Sequence, residues 1–299
     1  MMKVSNNIRG AALMTASMAG YVFNDALVKL VSENLGLYQI MLLRGLFTTT
    51  LLGLIAWRMK SLFPKLKLAD WRLMTLRMIG EVGGTLCFLT ALFNMPIANA
   101  SAILQVVPLA VTYCAAIFLG QAVGWRRFLA IFIGFAGVLM IVRPGAEGFN
   151  AYSLWALAAV VFVVLRDLVT HRMSAQMPSI FAALLTSVSI TLTGAVLSPT
   201  VAWQPVGLDE LKLLGAAASF LIFGYLFGIM TMRVGEISFI SPFRYSALVW
   251  SIILGVVVFG DVPGTWTLLG SAIVVAMGIF TFYRERKAER MAGLAETPT

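Results

Sequence analysis

Long blocks of apolar residues, separated by short polar segments, make up most of the chain. Blocks of about 18 or more apolar residues have the length that a helix needs to cross the hydrocarbon core of a bilayer. We therefore predict ten membrane-spanning helices. Their approximate bounds are 10–31, 37–57, 71–93, 97–119, 127–142, 151–170, 179–198, 211–232, 237–259 and 264–283. The first block is too long for a cleavable signal sequence, so we expect it to remain as a span.

The composition supports a membrane protein. Of the 299 residues, 60% are hydrophobic and only 12% are charged, whereas about a quarter of a soluble domain is charged. The longest predicted loop, from Arg58 to Asp70, is too short to form a domain of its own. We therefore expect the protein to act within the bilayer.

The distribution of basic residues predicts the orientation. If the N-terminus is cytoplasmic, fifteen of the 22 Lys and Arg residues lie on the cytoplasmic side, and only Arg143 and Lys212 lie outside. This bias follows the positive-inside rule, and it predicts a bacterial inner-membrane protein with both termini in the cytoplasm. The net charge of +9 therefore reports topology, and we expect no nucleic-acid partner.

The two halves of the chain show weak internal similarity. The segment 91–103 aligns with 231–243 at a displacement of 140, and Asp25 aligns near Asp167 at a displacement of 142. Each half contains five crossings, an odd number, so the second half enters the membrane from the opposite side. Such inverted repeats can open a shared site to either face of the membrane in turn, which is the geometry of alternating access.

Two long paired segments carry a family resemblance. The stretches "SAILQVVPLAVTYCAAIFLGQ" and "FISPFRYSALVWSIILGVVVFGD", with the five-plus-five arrangement, resemble the drug/metabolite transporter superfamily, EamA type, over residues 8–283. The resemblance implies two five-helix repeats, 8–143 and 150–283, followed by a cytoplasmic tail, 284–299. It also implies a central cavity formed by the first four helices of each half, with the fifth and tenth helices at the periphery.

The resemblance implies transport of amino acids, drugs or other metabolites, in either direction. The family often has Glu at the ends of spans four and nine, where this chain has Gln121 and Asp261, so a mechanism that needs a carboxylate at position 121 is in doubt. The first span is also similar to bacterial riboflavin-uptake members, which makes riboflavin a candidate substrate.

Charged residues within the spans are the main candidates for function, because a charge at the bilayer centre must face protein or a wet cavity. Asp25 with Lys29, and Arg77 with Glu81, have i,i+4 spacing and could neutralise each other. Lys29 and Arg77 could instead snorkel to the interface. Arg166 and Asp167 in span six could be a solvated pair. For Asp25 and Glu81 a cavity-facing role is the favoured alternative.

Prolines and polar-tipped side chains extend the predicted site. Pro108 and Pro242 each break a span and free backbone carbonyls near mid-membrane. Individually the polar side chains could serve packing, but together they suit a small-molecule pocket. The predicted substrate-binding or coupling residues are Asn24, Asp25, Arg44, Glu81, Gln105, Tyr113, Asp167, Tyr225, Arg244, Tyr245 and Trp250.

Signals of catalysis are almost absent. The chain has one histidine, His171, and no phosphate-binding glycine loop, so we predict no metal, no cofactor and no ATP-driven transport. Asp25, Glu81 and Asp167 are candidate carriers of a coupling proton, because a buried carboxyl group can hold a proton near neutral pH. We predict a secondary transporter for a small organic metabolite: riboflavin, or else an amino acid, nucleoside or drug-like solute. A passive channel or facilitator is the alternative, a membrane-embedded enzyme is a weaker one, and a homodimer is left open.

Overall fold

The computed structural model describes residues 6–62, 64, 66–118, 124–143, 150–174, 177–234 and 241–295, and within them it is helical without strands. The helices are α1 (Asn6–Val31), α2 (Leu37–Arg58), α3 (Leu68–Asn94), α4 (Ile97–Leu104), α5 (Val107–Phe118), α6 (Trp125–Val142), α7 (Tyr152–His171), α8 (Ser179–Leu197), α9 (Leu208–Val234), α10 (Ser246–Phe259) and α11 (Thr265–Ala295). Helices α4 and α5 together form the fourth span. The 3₁₀ turn Ser241–Tyr245 and α10 form the described part of the ninth, so each of the ten predicted spans has a helical counterpart in the described residues.

The lengths and surfaces of these helices fit a bilayer. By length and composition, seven spans in the described part of the chain could cross a membrane, and two shorter apolar helices at 128–142 and 243–259 accompany them. Large apolar side chains cover the outside of the bundle, and they include the span-end tryptophans Trp57, Trp71, Trp125, Trp155 and Trp266. Exposed apolar surface of this extent is stable in lipid, and aromatic rings near span ends anchor at the headgroups.

The main helix contacts each join a helix of the first half to a helix of the second half. α1 lies against α9 and α3 lies against α7, while α2 packs on α8 and α6 packs on α11. Helices α1 and α9 are spans one and eight, and helices α7 and α3 are spans six and three. Exchange of the two halves converts the first pair into the second, so the α1–α9 and α3–α7 contacts are equivalent under the inverted symmetry. The fold is therefore an all-α bundle of two inverted five-helix repeats around a central cavity.

Glycines permit the two equivalent crossings. A methyl group on Gly80 of α3 would lie 2.9 Å from the Phe162 carbonyl oxygen of α7, and one on Gly224 of α9 would lie 3.3 Å from the Ser17 carbonyl oxygen of α1. The Ser17 hydroxyl also donates to the Gly224 carbonyl at 2.7 Å. Close approach of backbones over small residues is how membrane helices gain packing energy, so Gly80 and Gly224 serve helix packing.

Span four is interrupted near its middle, and the described part of span nine begins with a 3₁₀ turn. α4 ends at Leu104, the residues Gln105 and Val106 form a turn, and α5 resumes one residue before Pro108. Proline lacks a backbone N–H, so the chain cannot continue a regular helix across this point. In span nine the residues Ser241–Tyr245 adopt a 3₁₀ conformation before α10 begins. The turn in span four and the 3₁₀ turn in span nine bring Gln105 and Arg244 to the central cavity.

Candidate functional site

A cavity of about 430 Å³ lies at the centre of the bundle. Its described lining comes from the first four spans of each half, and α6 and α11 contribute none of it. This is the arrangement that the family resemblance implied. The volume is within the range of small-molecule sites. Eight of the eleven predicted residues line the cavity, namely Asn24, Asp25, Arg44, Glu81, Gln105, Asp167, Tyr225 and Arg244.

One polar group in the cavity belongs to the first half. Arg44 of α2, which is only 7% exposed, donates from Nη1 to Oδ1 of Asn24 at 3.2 Å. The Asn24 amide nitrogen in turn donates to Oδ1 of Asp25 at 2.9 Å. Asn24 therefore bridges a guanidinium and a carboxylate, and it orients both charged groups relative to the cavity.

Lys29 takes no part in this group, which corrects the predicted pairing of Asp25 with Lys29. The Lys29 ammonium donates to the Met95 carbonyl and lies 5.1 Å from the centroid of the Phe259 ring. Asp25 has its counter-charge on another helix, in Arg44. Side chains at i and i+4 share a helix face, but a cationic side chain near a helix end takes whichever acceptor is closest to the interface.

A second polar group joins the two halves. Oε2 of Glu81 lies 3.6 Å from Nη1 of Arg77 on its own helix and 3.4 Å from Nη1 of Arg166 on α7. Arg166 also holds Oδ1 of Asp167 at 2.8 Å from both Nε and Nη2. Arg77 donates to the Thr186 hydroxyl of α8. The snorkelling alternative for Arg77 is wrong, because three helices converge there and supply partners inside the bundle.

Aromatic rings complete the wall. Tyr21 and Tyr225 meet edge to face with 5.7 Å between ring centroids, and Phe88 also lines the cavity. Tyr21, Arg77 and Arg166 also line the cavity, although none of them was among the predicted site residues. From the sequence, Arg77 was expected to pair with Glu81 or to snorkel, and Arg166 to form a solvated pair with Asp167. The signal for Tyr21 was available, because it precedes Asp25 by four residues and therefore shares its helix face.

Three predicted residues lie away from the cavity lining. Tyr113 packs edge to face on Phe128, Phe132 and Phe135 of α6. Tyr245 is buried, with its ring over Gly278 of α11. Trp250 tilts against Phe23 and lines a separate groove beside the first turns of α1. Each of these side chains points from an interrupted or apolar span toward a neighbouring helix, which is the packing alternative that the sequence left open.

The two ends of the cavity differ. The lining extends to Thr170, an exposed residue one position before the end of α7. At the opposite end lies a group of buried apolar side chains, which we call the apolar plug. We define this apolar plug by Val28, Val31, Leu35, Ile40, Leu92 and Ile97, all of which belong to one core cluster. The described lining therefore reaches an exposed residue toward the end that carries the N-terminus, whereas the described side chains at the other end are buried and apolar.

The described side chains gather no group of three or more His, Cys, Asp or Glu that could hold a metal ion. Gln121 and the side chain of His171 lie outside the described residues. What the cavity contains is a set of charged, amide and aromatic groups that can bind a polar organic molecule through ionic, hydrogen-bonding and stacking contacts.

Comparison with known proteins places the chain among membrane transporters. Residues 8–143 match the EamA-like transporter family. A riboflavin transporter of Vibrio cholerae is 30% identical over 230 residues, which are 75% of this chain and 76% of that protein. An S-adenosylmethionine uptake transporter of Rickettsia conorii is 25% identical over 288 residues, covering 94% of this chain and 95% of its own. The pseudopaline exporter CntI of Pseudomonas aeruginosa is 24% identical over 277 residues, covering 89% and 93% of the two chains.

A solved crystal structure of a protein with 18% sequence identity superposes with a TM-score of 0.65, covering 94% of this chain and 99% of its own. At this identity the likeness concerns the fold alone. The family and the relatives named above are transporters of small metabolites and not enzymes.

Proposed function

Because this chain belongs to the EamA-like transporter family, in the drug/metabolite transporter superfamily, we propose that it is a secondary transporter that works by alternating access. In this proposal it moves a small organic metabolite across the cytoplasmic membrane of a bacterium. The observation that carries the proposal is a cavity lined by both inverted halves, which reaches the exposed Thr170 at one end and has the buried apolar plug at the other. A passive channel would need a continuous polar lining through to both faces.

The proposed cycle exchanges the roles of the two ends. With both termini in the cytoplasm, the described conformation faces inward, because its accessible end carries the start of α1. The outward-facing conformation would form when the apolar plug separates and the ends of α1, α3, α7 and α9 near Arg166 come together. The inverted symmetry makes the two conformations similar in packing, so neither is strongly favoured over the other.

Riboflavin is the first candidate substrate. Its support is the 30% identity with a protein named a riboflavin transporter, together with the stacking faces of Tyr21 and Tyr225 beside hydrogen-bonding groups. Other relatives are named for transport of S-adenosylmethionine and pseudopaline, so other metabolites are also candidate substrates. Amino acids, nucleosides and drug-like solutes therefore belong to the same series of assays.

Among the three cavity carboxylates, Asp25 is the candidate carrier of a coupling proton. Glu81 and Asp167 are each within ion-pair distance of an arginine nitrogen. Asp25 instead accepts from the neutral Asn24 amide, with Arg44 one hydrogen bond further away. A carboxylate without a directly bonded cation gains a proton most readily when its surroundings lose water.

The decisive experiment is solute uptake by purified protein in proteoliposomes. We expect saturable uptake of one radiolabelled solute, competition by unlabelled solute, and acceleration when unlabelled solute is preloaded inside, since exchange is a property of alternating access. Flux that does not saturate, or that passes at channel rates, would reject the transporter mechanism in favour of a channel. A homodimer stays a prediction, which mass measurement of the detergent-solubilised protein would check.

A further inference from the structure

The described lining of the cavity has an excess of positive charge. Its four arginines and three carboxylates are Arg44, Arg77, Arg166 and Arg244, and Asp25, Glu81 and Asp167. With every group ionised, one positive charge is left over. If Asp25 takes up a proton, the excess rises to two, so the sign of the excess is the same in both protonation states.

The excess is concentrated at Arg244. Arg166 and Arg77 share Glu81, and Arg166 also holds Asp167. Arg44 is linked to Asp25 through Asn24. Arg244, in contrast, has no carboxylate oxygen within 4.0 Å among the residues that the structure describes. It is a half-buried guanidinium that faces the cavity from the 3₁₀ turn of span nine.

In alternating access, the excess of positive charge affects the step in which the cavity closes. The cavity must pass through a state closed to both sides, in which the water around the arginines is lost. A charge without a partner in a dry, low-dielectric cavity is strongly disfavoured, whereas a balanced ion pair is tolerated. Closure over the empty cavity is therefore opposed, and closure over a bound anion is favoured.

We infer that the substrate carries a carboxylate or phosphate group and that Arg244 is the residue that binds it. A planar guanidinium presents paired donors that match either oxyanion. This inference rests on the proposed transport function, and it narrows the substrate class to organic anions and to zwitterions whose acidic group reaches Arg244. It therefore ranks amino acids and other acidic or zwitterionic metabolites above neutral riboflavin. It assigns to Arg44, Arg77 and Arg166 the role of holding the protein's own carboxylates.

The first test needs no ligand. Arg244→Gln removes the unmatched charge, so its thermal midpoint in detergent should equal or exceed that of the native protein. Arg166→Gln is the matched control, because it leaves Asp167 without its arginine, removes one of the two arginines that hold Glu81, and should lower the midpoint. A midpoint for Arg244→Gln that falls as far as that of Arg166→Gln would mean that Arg244 already has a balancing partner, and the inference would be wrong.

The second test uses two pairs of probes that differ in one acidic group: riboflavin 5′-phosphate with riboflavin, and nicotinate with nicotinamide. We expect the acidic member of at least one pair to bind the native protein more tightly than its neutral partner. The phosphate and carboxylate arms distinguish the two oxyanions. Arg244→Gln should weaken binding of that acidic member about tenfold or more, as expected for loss of a charge-assisted hydrogen bond, and Arg244→Lys should restore part of it.

The results separate this inference from the transport proposal. Saturable uptake of neutral riboflavin, with no preference for either acidic probe, would leave the transporter standing and overturn the anion site. Equal binding of the acidic probe by the native protein and by Arg244→Gln would overturn it as well. Failure of proteoliposomes to take up any solute, despite Arg244-dependent anion binding, would instead count against the transport mechanism.

Discussion

Nη1 of Arg166 on α7 lies 3.4 Å from Oε2 of Glu81 on α3, and this ion pair connects the second half of the bundle to the first. The two helices approach closely at the same level, because Gly80 lies directly over the α7 backbone. The residue that permits the crossing thus immediately precedes the residue that places a charge in it. Packing and electrostatics at the centre of this protein depend on the same turn of helix.

We expect Glu81→Gln to impair transport by about tenfold or more and to lower the free energy of unfolding by roughly 1–3 kcal/mol, the usual range for stranding a buried partner. The reason is that Arg77 and Arg166 lose the carboxylate that they share. Uptake in proteoliposomes and the thermal midpoint measure the two effects. Glu33→Gln, at an exposed position after α1, is the control and should change neither. Native uptake by Glu81→Gln would contradict a role for this ion-pair network.

We expect Asp25→Asn to flatten the dependence of uptake on external pH while the protein still inserts and folds. The asparagine side chain has nearly the same shape but cannot gain or lose a proton, so a coupling step at this position disappears. Uptake should be measured from pH 5 to 8 with and without a proton gradient. Asp209→Asn, at an exposed carboxylate paired with Lys212, is the control. An unchanged pH profile in Asp25→Asn would exclude Asp25 as the proton carrier.

We expect Gly80→Ala to destabilise the bundle by about 1–3 kcal/mol, the range for overpacking a tight contact. The added methyl group would lie 2.9 Å from the Phe162 carbonyl oxygen and 3.0 Å from the Arg166 amide nitrogen. Both atoms belong to backbone, so α3 and α7 must move apart.

The matched control for this substitution is Gly53→Ala, because the nearest atom to its methyl group is a Leu184 side-chain carbon 4.0 Å away. Alanine within a helix is favoured over glycine by roughly 0.5–1 kcal/mol, so Gly53→Ala should be neutral or stabilising. Thermal midpoints of the two variants, measured side by side, check the helix crossing. Equal midpoints would indicate that α3 and α7 are further apart than described.

Cysteine labelling tests which end of the cavity is accessible. In a background without Cys87 and Cys114, we expect Thr170→Cys to react with a membrane-impermeant maleimide in inside-out vesicles, because Thr170 is exposed at the accessible end. Asn34→Cys, in the exposed turn after α1, should react only in intact cells. Val28→Cys, inside the apolar plug, should be protected from both sides. Reaction of Thr170→Cys only from outside would reverse the proposed orientation.

Two tyrosines provide a test of which side chains reach the substrate. We expect Tyr245→Phe to leave uptake and stability essentially unchanged, because the buried Tyr245 hydroxyl has no hydrogen-bond partner among the described residues. Tyr225→Phe should raise the half-saturating substrate concentration severalfold, since Tyr225 lines the cavity and a lost hydrogen bond to the substrate is worth about 1 kcal/mol. The opposite order of effects would indicate that Tyr245, and not Tyr225, contacts the substrate.

The order and depth of the spans could be predicted because both follow from local composition. A helix that crosses the bilayer needs a fixed length of apolar residues, and the predicted bounds agree with those of the structure to within a few residues at most ends. The inverted relation of the halves followed from the odd number of crossings in each. Asp25, Arg44 and Glu81 were recognised as cavity residues because an ionisable group at such depth must avoid lipid.

Only the tertiary structure shows which face of each helix points inward and which helices are in contact. A span that is apolar around its whole circumference has little polar contrast to reveal its inward side, so Tyr113, Tyr245 and Trp250 could not be distinguished in sequence from true lining residues. The partners of the charged groups could not be predicted from the local sequence pattern either. Glu81 meets Arg166 only because α3 and α7, which are distant in the chain, cross at the same level. Asp25 is linked to Arg44 through Asn24 because the packing of the neighbouring helix α2 brings Arg44 to the level of Asn24.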